Sequence, residues 1–262
     1  MTTLNDVKYY AKLKLKKYRD REGKFLIEGI HLIEECLKSE KYRNNLEKIF
    51  VREDFQNDKA FEIIRSYNHI ADIEIIDEIK FSKITETVTS QGLIGVVSKL
   101  SGEISKVTSE ETSIIKVVLD SINDPGNLGT ILRNCHWFGA DEVIVGINSA
   151  DIYNSKVLRS SQGAVFNLNI SNETEIENEL VNLKAKGFEI IITDLKAENY
   201  LSEFTIEKNK KFALVFGNEA SGISENITVN KNYKHLKIKG FSDCESLNVS
   251  VTSGIFLYTF RK

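Results

Sequence analysis

Runs of β-branched and aromatic residues recur between residues 114 and 240, and stretches with helical periodicity separate them. These runs are IIKVVLDSI (114–122), EVIVG (142–146), FEIIITDL (188–195), FALVFG (212–217) and HLKIKG (235–240). One intervening helix is predicted to begin at a capping box formed by Asn172 and Glu175. Strands that alternate with helices predict an α/β domain whose parallel sheet is covered on both faces. In such a sheet, ligands bind where the strands end and the loops begin.

The first hundred residues predict a second, smaller α/β unit. The helical stretches EGIHLIEECLK and KAFEIIRSY alternate with the strand-like runs EKIFVR, IEII and GLIGVVS. The polar stretch KLSGEISKVTSEET then breaks the periodicity. We therefore predict a domain at residues 1–100, a linker at 101–112 and a second domain at 113–262.

Cysteine and histidine positions exclude two common kinds of site. Cys36, Cys135 and Cys244 stand far apart without a C-x-x-C pair, and the four histidines are equally dispersed. The sequence therefore predicts no disulfide framework and no metal site, and the cysteines are interpreted as small buried residues. The N-terminal residues lack the apolar stretch of a signal peptide, so the cytoplasm is the expected location.

The overall charge is −3, but one segment near the N-terminus is strongly basic. Residues 8–24, KYYAKLKLKKYRDREGK, contain eight lysines and arginines, two acids and three interleaved tyrosines. Such a run is either a solvated helix face or a phosphate-binding patch with aromatic rings for stacking. The charge alone does not decide between the two.

Two loops at predicted strand ends carry polar and glycine residues. In NDPGNLGTILRN (123–134), the only proline of the chain predicts a fixed turn, and the loop could bring Asn127 back towards Arg133. In FGNEASGIS (216–224), Gly217 and Gly222 predict either a close approach of backbone to a ligand or a flexible turn. Neither a P-loop nor a G-x-G-x-x-G fingerprint is present.

A third polar segment, CESLNVSV (244–251), opens the predicted C-terminal helix. Ser246 taken alone is interpreted as the N-cap, which would place Asn248 inside the helix, where asparagine is a poor helix former. One stripe of this amphipathic helix is predicted to pack on the sheet, and it consists of Leu247, Val251, Ile255 and Tyr258.

These three segments, in this order, resemble the signature motifs of the SpoU (TrmH-like) family of RNA ribose 2'-O-methyltransferases in the SPOUT superfamily. DIYNSKVLRSSQGAVF resembles the segment between the first two motifs, and KKYRDREGKFLIEGIHLIEECLK with QGLIGVVSK resembles the family's N-terminal substrate-binding domain. The resemblance implies a SPOUT α/β domain with a deep trefoil knot and a small N-terminal α/β domain like ribosomal protein L30e. It also implies S-adenosylmethionine as the cofactor, RNA as the substrate, a homodimer and no metal.

Site residues follow from the motif positions. The implied catalytic residues are Asn127, Arg133, Glu219, Ser246 and Asn248. The implied cofactor-binding residues are Thr193, Asp194, Leu195, Gly217, Asn218, Ile238, Leu247 and Asn248. The predicted RNA-binding residues are Lys14, Lys16, Lys17, Arg19 and Arg21 of the basic segment, with Arg159 and Ser161 of the segment between the first two motifs. The chain departs from the family at Lys239 and Gly240, where many members have Pro and Met, and at Ser155, where they have Pro.

The resemblance implies an S-adenosylmethionine-dependent 2'-O-methyltransferase that acts on ribosomal RNA of the 23S type. A tRNA 2'-O-methyltransferase, a non-catalytic RNA-binding SPOUT protein and a SPOUT enzyme that methylates a base nitrogen are the alternatives. Arg133 is the family's candidate for proton removal or for binding the adjacent phosphate. We favour phosphate binding, because an arginine with a pKa above about 12 is a cation at neutral pH.

Overall fold

The computed structural model describes residues 3–57, 59–67, 69–100, 114–207 and 209–261, which form two compact units. The first unit contains the described residues up to 100 together with Tyr153–Asn167. The second contains the described residues of 114–152 and those from 168 onward. The predicted linker at 101–112 lies outside the described residues. The sequence placed residues 153–167 in the second domain, whereas in the structure they pack with the first unit. The remaining domain limits stay predictions.

Helices and strands are numbered in chain order. The α-helices are α1 (Leu4–Lys12), α2 (Lys16–Glu22), α3 (Ile30–Lys38), α4 (Lys59–Arg65), α5 (Glu78–Ile84), α6 (Pro125–Trp137), α7 (Ser155–Ser161), α8 (Ile176–Ala185), α9 (Glu225–Thr228) and α10 (Val249–Phe260). The strands are β1 (Lys24–Glu28), β2 (Leu46–Arg52), β3 (Asp72–Ile76), β4 (Leu93–Ser98), β5 (Ile114–Leu119), β6 (Glu142–Gly146), β7 (Ile170–Thr174), β8 (Glu189–Thr193), β9 (Asn199–Tyr200), β10 (Lys211–Phe216) and β11 (Lys234–Lys237). Short 3-10 helices lie at Arg43–Asn45, Glu53–Asn57, Ala164–Phe166 and Leu201–Glu203.

The first unit is built on a four-stranded sheet with the order β1-β4-β2-β3. β4 pairs antiparallel with β1 and β2, and β3 pairs parallel with β2. The segment around α7 joins this unit through several contacts, two of which involve Tyr153 and Ser39. The ring of Tyr153 packs on that of Phe25 with centroids 4.4 Å apart, and Ser39 Oγ donates to the Phe166 carbonyl at 2.6 Å. Buried contacts of this kind override the sequence position of the segment.

The second unit contains a seven-stranded sheet with the order β7-β6-β5-β10-β8-β11-β9. Every strand pair in it is parallel, which confirms the parallel sheet that the alternating strands and helices predicted. The trefoil knot that the family resemblance implies stays a prediction.

Both faces of the second sheet are covered, as the continuous apolar runs predicted. Ala213 and Val215 of β10 lie in the core cluster that includes residues of α8 and α9. Phe212 and Phe216 alternate with them along the strand, so they point to the opposite face. There Phe216 contacts Phe256 of α10, and Phe212 contacts Phe260, with centroids 5.8 and 4.9 Å apart.

Two local predictions are wrong. Asn172 does not cap a helix, because residues 170–174 pair with β6 as a strand and Glu175 is the N-cap residue of α8, without a side-chain cap bond. Cys36 and Cys135 are buried, and burial raises the pKa of the Cys36 thiol to about 12, but Cys244 is exposed.

Among the described residues, no helix combines the length and the apolar character that crossing a bilayer requires.

Candidate active site

Four neighbouring strands of the second sheet end at the same edge. β5, β10, β8 and β11 are adjacent and parallel, so their carboxyl ends lie side by side. The loops that leave this edge are residues 120–124, 217–224, 194–198 and 238–248. The three polar segments singled out in the sequence therefore begin within a few strand spacings of each other, where parallel sheets bind ligands.

The first of these loops runs directly into α6. Asp124 is the N-cap, its Oδ1 accepting a hydrogen bond from the Asn127 backbone N–H at 2.8 Å, and Pro125 occupies the first helical position. Asn127 is thus a first-turn residue of the helix. The spacing of six residues from Asn127 to Arg133 places the two side chains about 120° apart around the α6 axis. The prediction that the loop turns Asn127 back towards Arg133 is wrong.

Asn248, and not Ser246, is the N-cap of α10. Its Oδ1 accepts from the Ser250 backbone N–H at 2.8 Å and from the Ser250 hydroxyl at 2.6 Å. Asparagine is among the preferred N-cap residues, so Asn248 is favourable at this position, unlike in the helix interior. Ser246 lies in the exposed loop before the helix, where its carbonyl accepts from the Cys244 thiol.

The face of α10 that packs inward also differs from the prediction. Val251, Ile255 and Tyr258 are 50, 36 and 56% exposed, and Leu247 ahead of the helix is 48% exposed. The buried residues of α10 are Ser250, Ser253, Phe256, Leu257 and Phe260. The predicted core stripe is therefore a solvent-facing apolar surface, because the large aromatic side chains and two small serines cover the sheet and α6 instead.

The amide of Asn127 joins two of these four loops, residues 217–224 and 238–248, to α6. Asn127 Nδ2 donates to Glu219 Oε1 at 2.5 Å, and Asn127 Oδ1 accepts from Asn248 Nδ2 at 2.9 Å. A continuous chain of hydrogen bonds therefore runs from the Ser250 hydroxyl through both amides to the Glu219 carboxylate. Glu219 Oε2 has no hydrogen-bond partner among the described residues. The network fixes the three side chains and leaves one carboxylate oxygen to accept a further donor.

Arg133 and Ser246 do not join this network. Arg133 is exposed on α6 and makes no hydrogen bond or ion pair with the described residues. Of the five residues predicted to be catalytic, the structure thus brings together Asn127, Glu219 and Asn248.

The loop after β10 is held in one conformation by its own backbone. Asn218 and Gly222 exchange two backbone hydrogen bonds of 2.9 and 3.0 Å, and a Cβ on Gly217 would collide with the backbone of Gly222 and Ile223. Only glycine fits at position 217, because the loop folds back onto its own backbone there. The predicted contact of the Gly217 backbone with the cofactor stays a prediction.

Asn218 contributes to the same loop with its side chain. Its Oδ1 accepts from the backbone N–H groups of Ala220 and Ser221 at 2.9 and 3.1 Å, and its Nδ2 donates to the Ser121 carbonyl at 2.9 Å. The buried Asp120 accepts from the Ser224 N–H at 2.7 Å. Asn218 thus shapes the loop and ties it to the end of β5, and its predicted contact with the cofactor stays a prediction.

The segment from Ile238 to Leu247 has the groups that would hold an adenosine. Within the described residues, its backbone N–H and C=O groups make no backbone hydrogen bonds, and residues 239–247 are all exposed. Leu195 on the neighbouring loop is 64% exposed and, like Leu247, offers apolar surface. Free backbone donors and acceptors beside exposed leucines fit a flat, polar-edged base. Of the predicted cofactor residues, Ile238 and Leu247 lie in this segment, and Thr193 is the last residue of β8.

Asp194, also predicted to contact the cofactor, points its carboxylate elsewhere. Burial alone would raise the pKa of Asp194, but hydrogen bonds from His235 Nδ1 at 2.9 Å and from the Lys196 N–H at 2.8 Å outweigh it and hold this pKa below its usual value. The pair lines a cleft of about 610 Å³ at the β9 edge of the sheet. This cleft includes Asp194 but not Gly217, Ile238 or Leu247, so it lies beside the predicted cofactor residues.

Sequence reasoning missed two residues that support the site. Asn134 Nδ2 donates to the Ser250 carbonyl at 2.8 Å and to Ser253 Oγ at 3.0 Å, which fixes the start of α10 against α6. Ser250 in turn binds Asn248. The only available signal was the spacing: Asn134 lies seven residues after Asn127, two helical turns along the same face.

Several residues predicted to bind RNA have structural roles in the first unit. Arg19 is buried and donates to the carbonyls of Leu13 and Lys14 at 3.0 and 2.6 Å, and Lys14 Nζ donates to the carbonyls of Lys83 and Thr85. These two cations satisfy carbonyl groups at helix ends. Ser161 is fully buried and donates to the Leu158 carbonyl. The RNA-binding assignment is therefore wrong for Arg19 and Ser161.

The other predicted RNA-binding residues remain accessible to different degrees. Lys16 pairs with Asp20, and Arg21 pairs with Glu22 and lies over the Tyr18 ring. Lys17 is exposed without a partner among the described residues. Arg159 Nη1 is buried and has no hydrogen-bond partner among the described residues.

No group of three or more metal-ligating side chains occurs in the part of the chain that the structure describes.

Fold and site together define a methyltransferase of the SPOUT class with a second, smaller α/β unit. Residues 114–258 match the SpoU rRNA Methylase family, and residues 5–95 match the MRM3-like substrate binding domain. The chain belongs to the SpoU rRNA methylase family and is an RNA methyltransferase.

Relatives match over nearly the whole chain. The 23S rRNA (guanosine(2553)-2'-O)-methyltransferase RlmP of Bacillus subtilis is 32% identical over 97% of this chain and 95% of its own length. A solved structure assigned to the TrmH family of RNA methyltransferases, from Porphyromonas gingivalis, is 28% identical and covers 100% of this chain and 98% of its own, with a TM-score of 0.81. The SpoU methyltransferase AviRb from Streptomyces viridochromogenes, solved with AdoMet, is 20% identical over 99 and 97% of the two chains, with a TM-score of 0.84 that shows the common fold.

Proposed function

We propose that this chain transfers the methyl group of S-adenosylmethionine to the ribose 2'-oxygen of a nucleotide in ribosomal RNA of the 23S type. The observation that carries the proposal is the hydrogen-bonded set of Asn127, Glu219 and Asn248 at the edge where β5, β10 and β11 end. The Bacillus subtilis relative, which aligns over nearly the whole chain, is named for the same reaction on 23S rRNA.

The reaction forms an oxygen–carbon bond at the 2'-oxygen, breaks the sulfur–carbon bond and releases the hydroxyl proton. S-adenosylmethionine supplies the methyl group already activated on a sulfonium. The protein then has to hold the hydroxyl in line and assist loss of its proton, and positioning alone contributes about 7–11 kcal/mol in favourable cases. Glu219 Oε2 accepts a hydrogen bond from the ribose hydroxyl. Asn127 and Asn248 fix the position of this carboxylate relative to the start of α10.

Arg133 binds the phosphate next to the target ribose in this proposal. Its guanidinium is exposed and has no partner among the described residues, so its fork of donors is available for a phosphate. This role keeps Arg133 positively charged throughout the reaction. The hydroxyl proton leaves along the hydrogen bond to Glu219, to this carboxylate or to a water molecule that it binds.

We expect one S-adenosylmethionine to bind per chain in calorimetry with EDTA present. Leu195→Glu should weaken this binding about 10-fold or more, because a carboxylate replaces apolar contact surface on the loop after β8. Val181→Glu on α8 is the matched control, since Val181 is 57% exposed and lies on no loop of the site. Absence of heat with the unmodified protein would contradict the cofactor assignment, and equal effects of the two variants would contradict the role of the Leu195 loop.

The chain also forms a homodimer in this proposal, through the exposed apolar face of α10. Val251, Ile255 and Tyr258 lie on this face, and Trp137 at the end of α6 is 82% exposed. α6 and α10 pack against each other, through the bonds of Asn134 to Ser250 and Ser253 and through the Phe138 and Tyr258 rings. Large apolar side chains on two packed helices are typical of an oligomer interface.

Light scattering at micromolar concentration should give the mass of two chains. The double variant Val251→Glu with Ile255→Glu should give the mass of one chain, because two carboxylates would be buried without partners. Val181→Glu serves again as the control and should stay dimeric. A monomeric mass for the unmodified protein would refute the homodimer.

RNA contacts by the first unit and a cytoplasmic location stay predictions. Among the residues predicted to bind RNA, Lys17 and Arg21 are exposed and Arg159 has an unpaired guanidinium nitrogen. The match to a substrate binding domain over residues 5–95 supports the assignment of RNA contacts to this unit.

A further inference from the structure

Two lysines and two aromatic rings converge at the β9 edge of the second sheet. Lys237 Nζ lies 5.1 Å from the centroid of the Tyr200 ring, and Lys239 Nζ lies 5.6 Å from the same ring and 5.5 Å from the Phe241 ring. Lys237 and Tyr200 are register partners on the adjacent parallel strands β11 and β9. We call the surface formed by Tyr200, Lys237, Lys239 and Phe241 the lysine–aromatic surface.

Neither lysine is neutralised by a carboxylate. Lys237 and Lys239 form no ion pair with the described residues, whereas Lys234 on the same strand pairs with Glu189. The nearby acids Asp243 and Glu245 are exposed on the following loop and pair with neither lysine. Two like charges over one ring repel each other, so the arrangement favours an anion that lies between or beside them.

Phe241 adds a feature that an anion alone would not require. It is 90% exposed, on a loop where no described apolar residue covers it. An exposed aromatic ring beside unpaired lysines is the combination that binds single-stranded nucleic acid, since the ring stacks on a base and the ammonium groups contact phosphates. The charge of an acidic peptide would suit the lysines but would leave the Phe241 ring without a stacking partner.

The position of the surface connects it to the active site. Lys239 and Phe241 lie in the segment that runs from β11 to Asn248, the N-cap of α10 and a member of the hydrogen-bonded network. Lys239 also stands where many family members have proline. We propose that the lysine–aromatic surface binds a single-stranded segment of the substrate RNA next to the target nucleotide, with a base stacked on Phe241. This inference rests on the proposed function for the identity of the substrate.

The test compares Phe241 variants in three measurements on the full-length protein. These are anisotropy with a fluorescent 12-nucleotide single-stranded RNA at several salt concentrations, methyl transfer to large-subunit rRNA from a strain that lacks this protein, and calorimetry with S-adenosylmethionine. Phe241→Ala should weaken binding of the oligonucleotide about 10-fold and raise KM for rRNA, because the stacked base is lost. Phe241→Trp should retain binding, whereas Phe241→Leu should not, since leucine is apolar but cannot stack.

The lysines are tested through the salt dependence. The double variant Lys237→Ala with Lys239→Ala should reduce the slope of log K against log salt by about 0.7 for each lost phosphate contact. Lys186→Ala is the matched control, because Lys186 is an exposed lysine just before the amino end of β8, whereas Lys237 and Lys239 lie at and after the carboxyl end of β11. It should leave the slope unchanged.

The outcomes separate this inference from the proposed function. Methyl transfer by the unmodified protein with an unchanged KM and unchanged RNA binding in Phe241→Ala would overturn the inference and leave the proposed function in place. A loss of S-adenosylmethionine affinity in Phe241→Ala would also overturn it, because Phe241 would then cover the cofactor. If the unmodified protein methylates no rRNA but Phe241→Ala still weakens RNA binding, the surface stands and the proposed function fails.

Discussion

Replacing Asn127 by alanine is expected to lower kcat for RNA methylation by about 100- to 1000-fold, because misplacing catalytic groups by about 1 Å has effects of this size. Asn127 donates to Glu219 and accepts from Asn248, so its loss separates the carboxylate from the start of α10. None of its side-chain bonds is made to the segment from Ile238 to Leu247. The affinity for S-adenosylmethionine should therefore change little.

A second amide–carboxylate pair provides the control for this variant. Asn226 Nδ2 on α9 donates to Glu177 Oε2 on α8 at 2.5 Å, the same distance as between Asn127 and Glu219. Both alanine variants remove a net contribution of about 1 kcal/mol per hydrogen bond to stability. Asn226→Ala should keep full turnover. Equal kcat values for Asn127→Ala and the unmodified protein, measured with saturating cofactor, would remove the network from the mechanism.

The strands of the second domain could be predicted closely because their signal is local. EVIVG coincides with β6, and the other four runs overlap β5, β8, β10 and β11 within a few residues. Most positions of these runs are apolar on both faces, so the pattern itself indicates strands that are buried between two helix layers. β7 was missed because Ile170–Thr174 is an edge strand with mostly polar residues. An edge strand is stabilised by its neighbour, and the sequence does not show which neighbour it has.

Site residues could be predicted by motif but their geometry could not. The sequence indicated Asn127, Glu219 and Asn248, yet it placed Asn248 inside a helix that begins one residue after it. Helix boundaries depend on which side chain reaches the free N–H groups, and Ser246 and Asn248 are both suitable in the sequence. Arg19 was predicted to bind RNA because it lies in a run of basic residues. The sequence shows the charge of such a run but not which of its side chains are buried. The burial of Arg19 depends on the carbonyl groups that end α1, which only the folded chain brings near.

Arg133→Ala is expected to lose most turnover, by about 100-fold or more, while S-adenosylmethionine affinity and the free energy of unfolding stay unchanged. Its guanidinium makes no hydrogen bond or ion pair within the described residues, so the folded state loses nothing when it is removed. Arg133→Lys should restore only part of kcat, because lysine binds phosphate as a point charge without the planar fork. Mass spectrometry of digested RNA should find the methyl group on the ribose. Full activity in Arg133→Ala, or a methylated base, would contradict the proposed mechanism.

Arg133 projects from α6 away from Asn127, on the surface that also exposes Trp137 one turn further along the helix. For the homodimer proposed above, formed through this surface and α10, we expect the arginine of one chain to serve the network of the other. Co-expression of Arg133→Ala and Asn248→Ala chains with different affinity tags allows the mixed dimer to be purified. That dimer contains one intact pair, Arg133 from one chain and Asn248 from the other, so it should recover about half of the unmodified activity. Activity in the mixed dimer no higher than in either parent variant would mean that Arg133 acts on the site of its own chain.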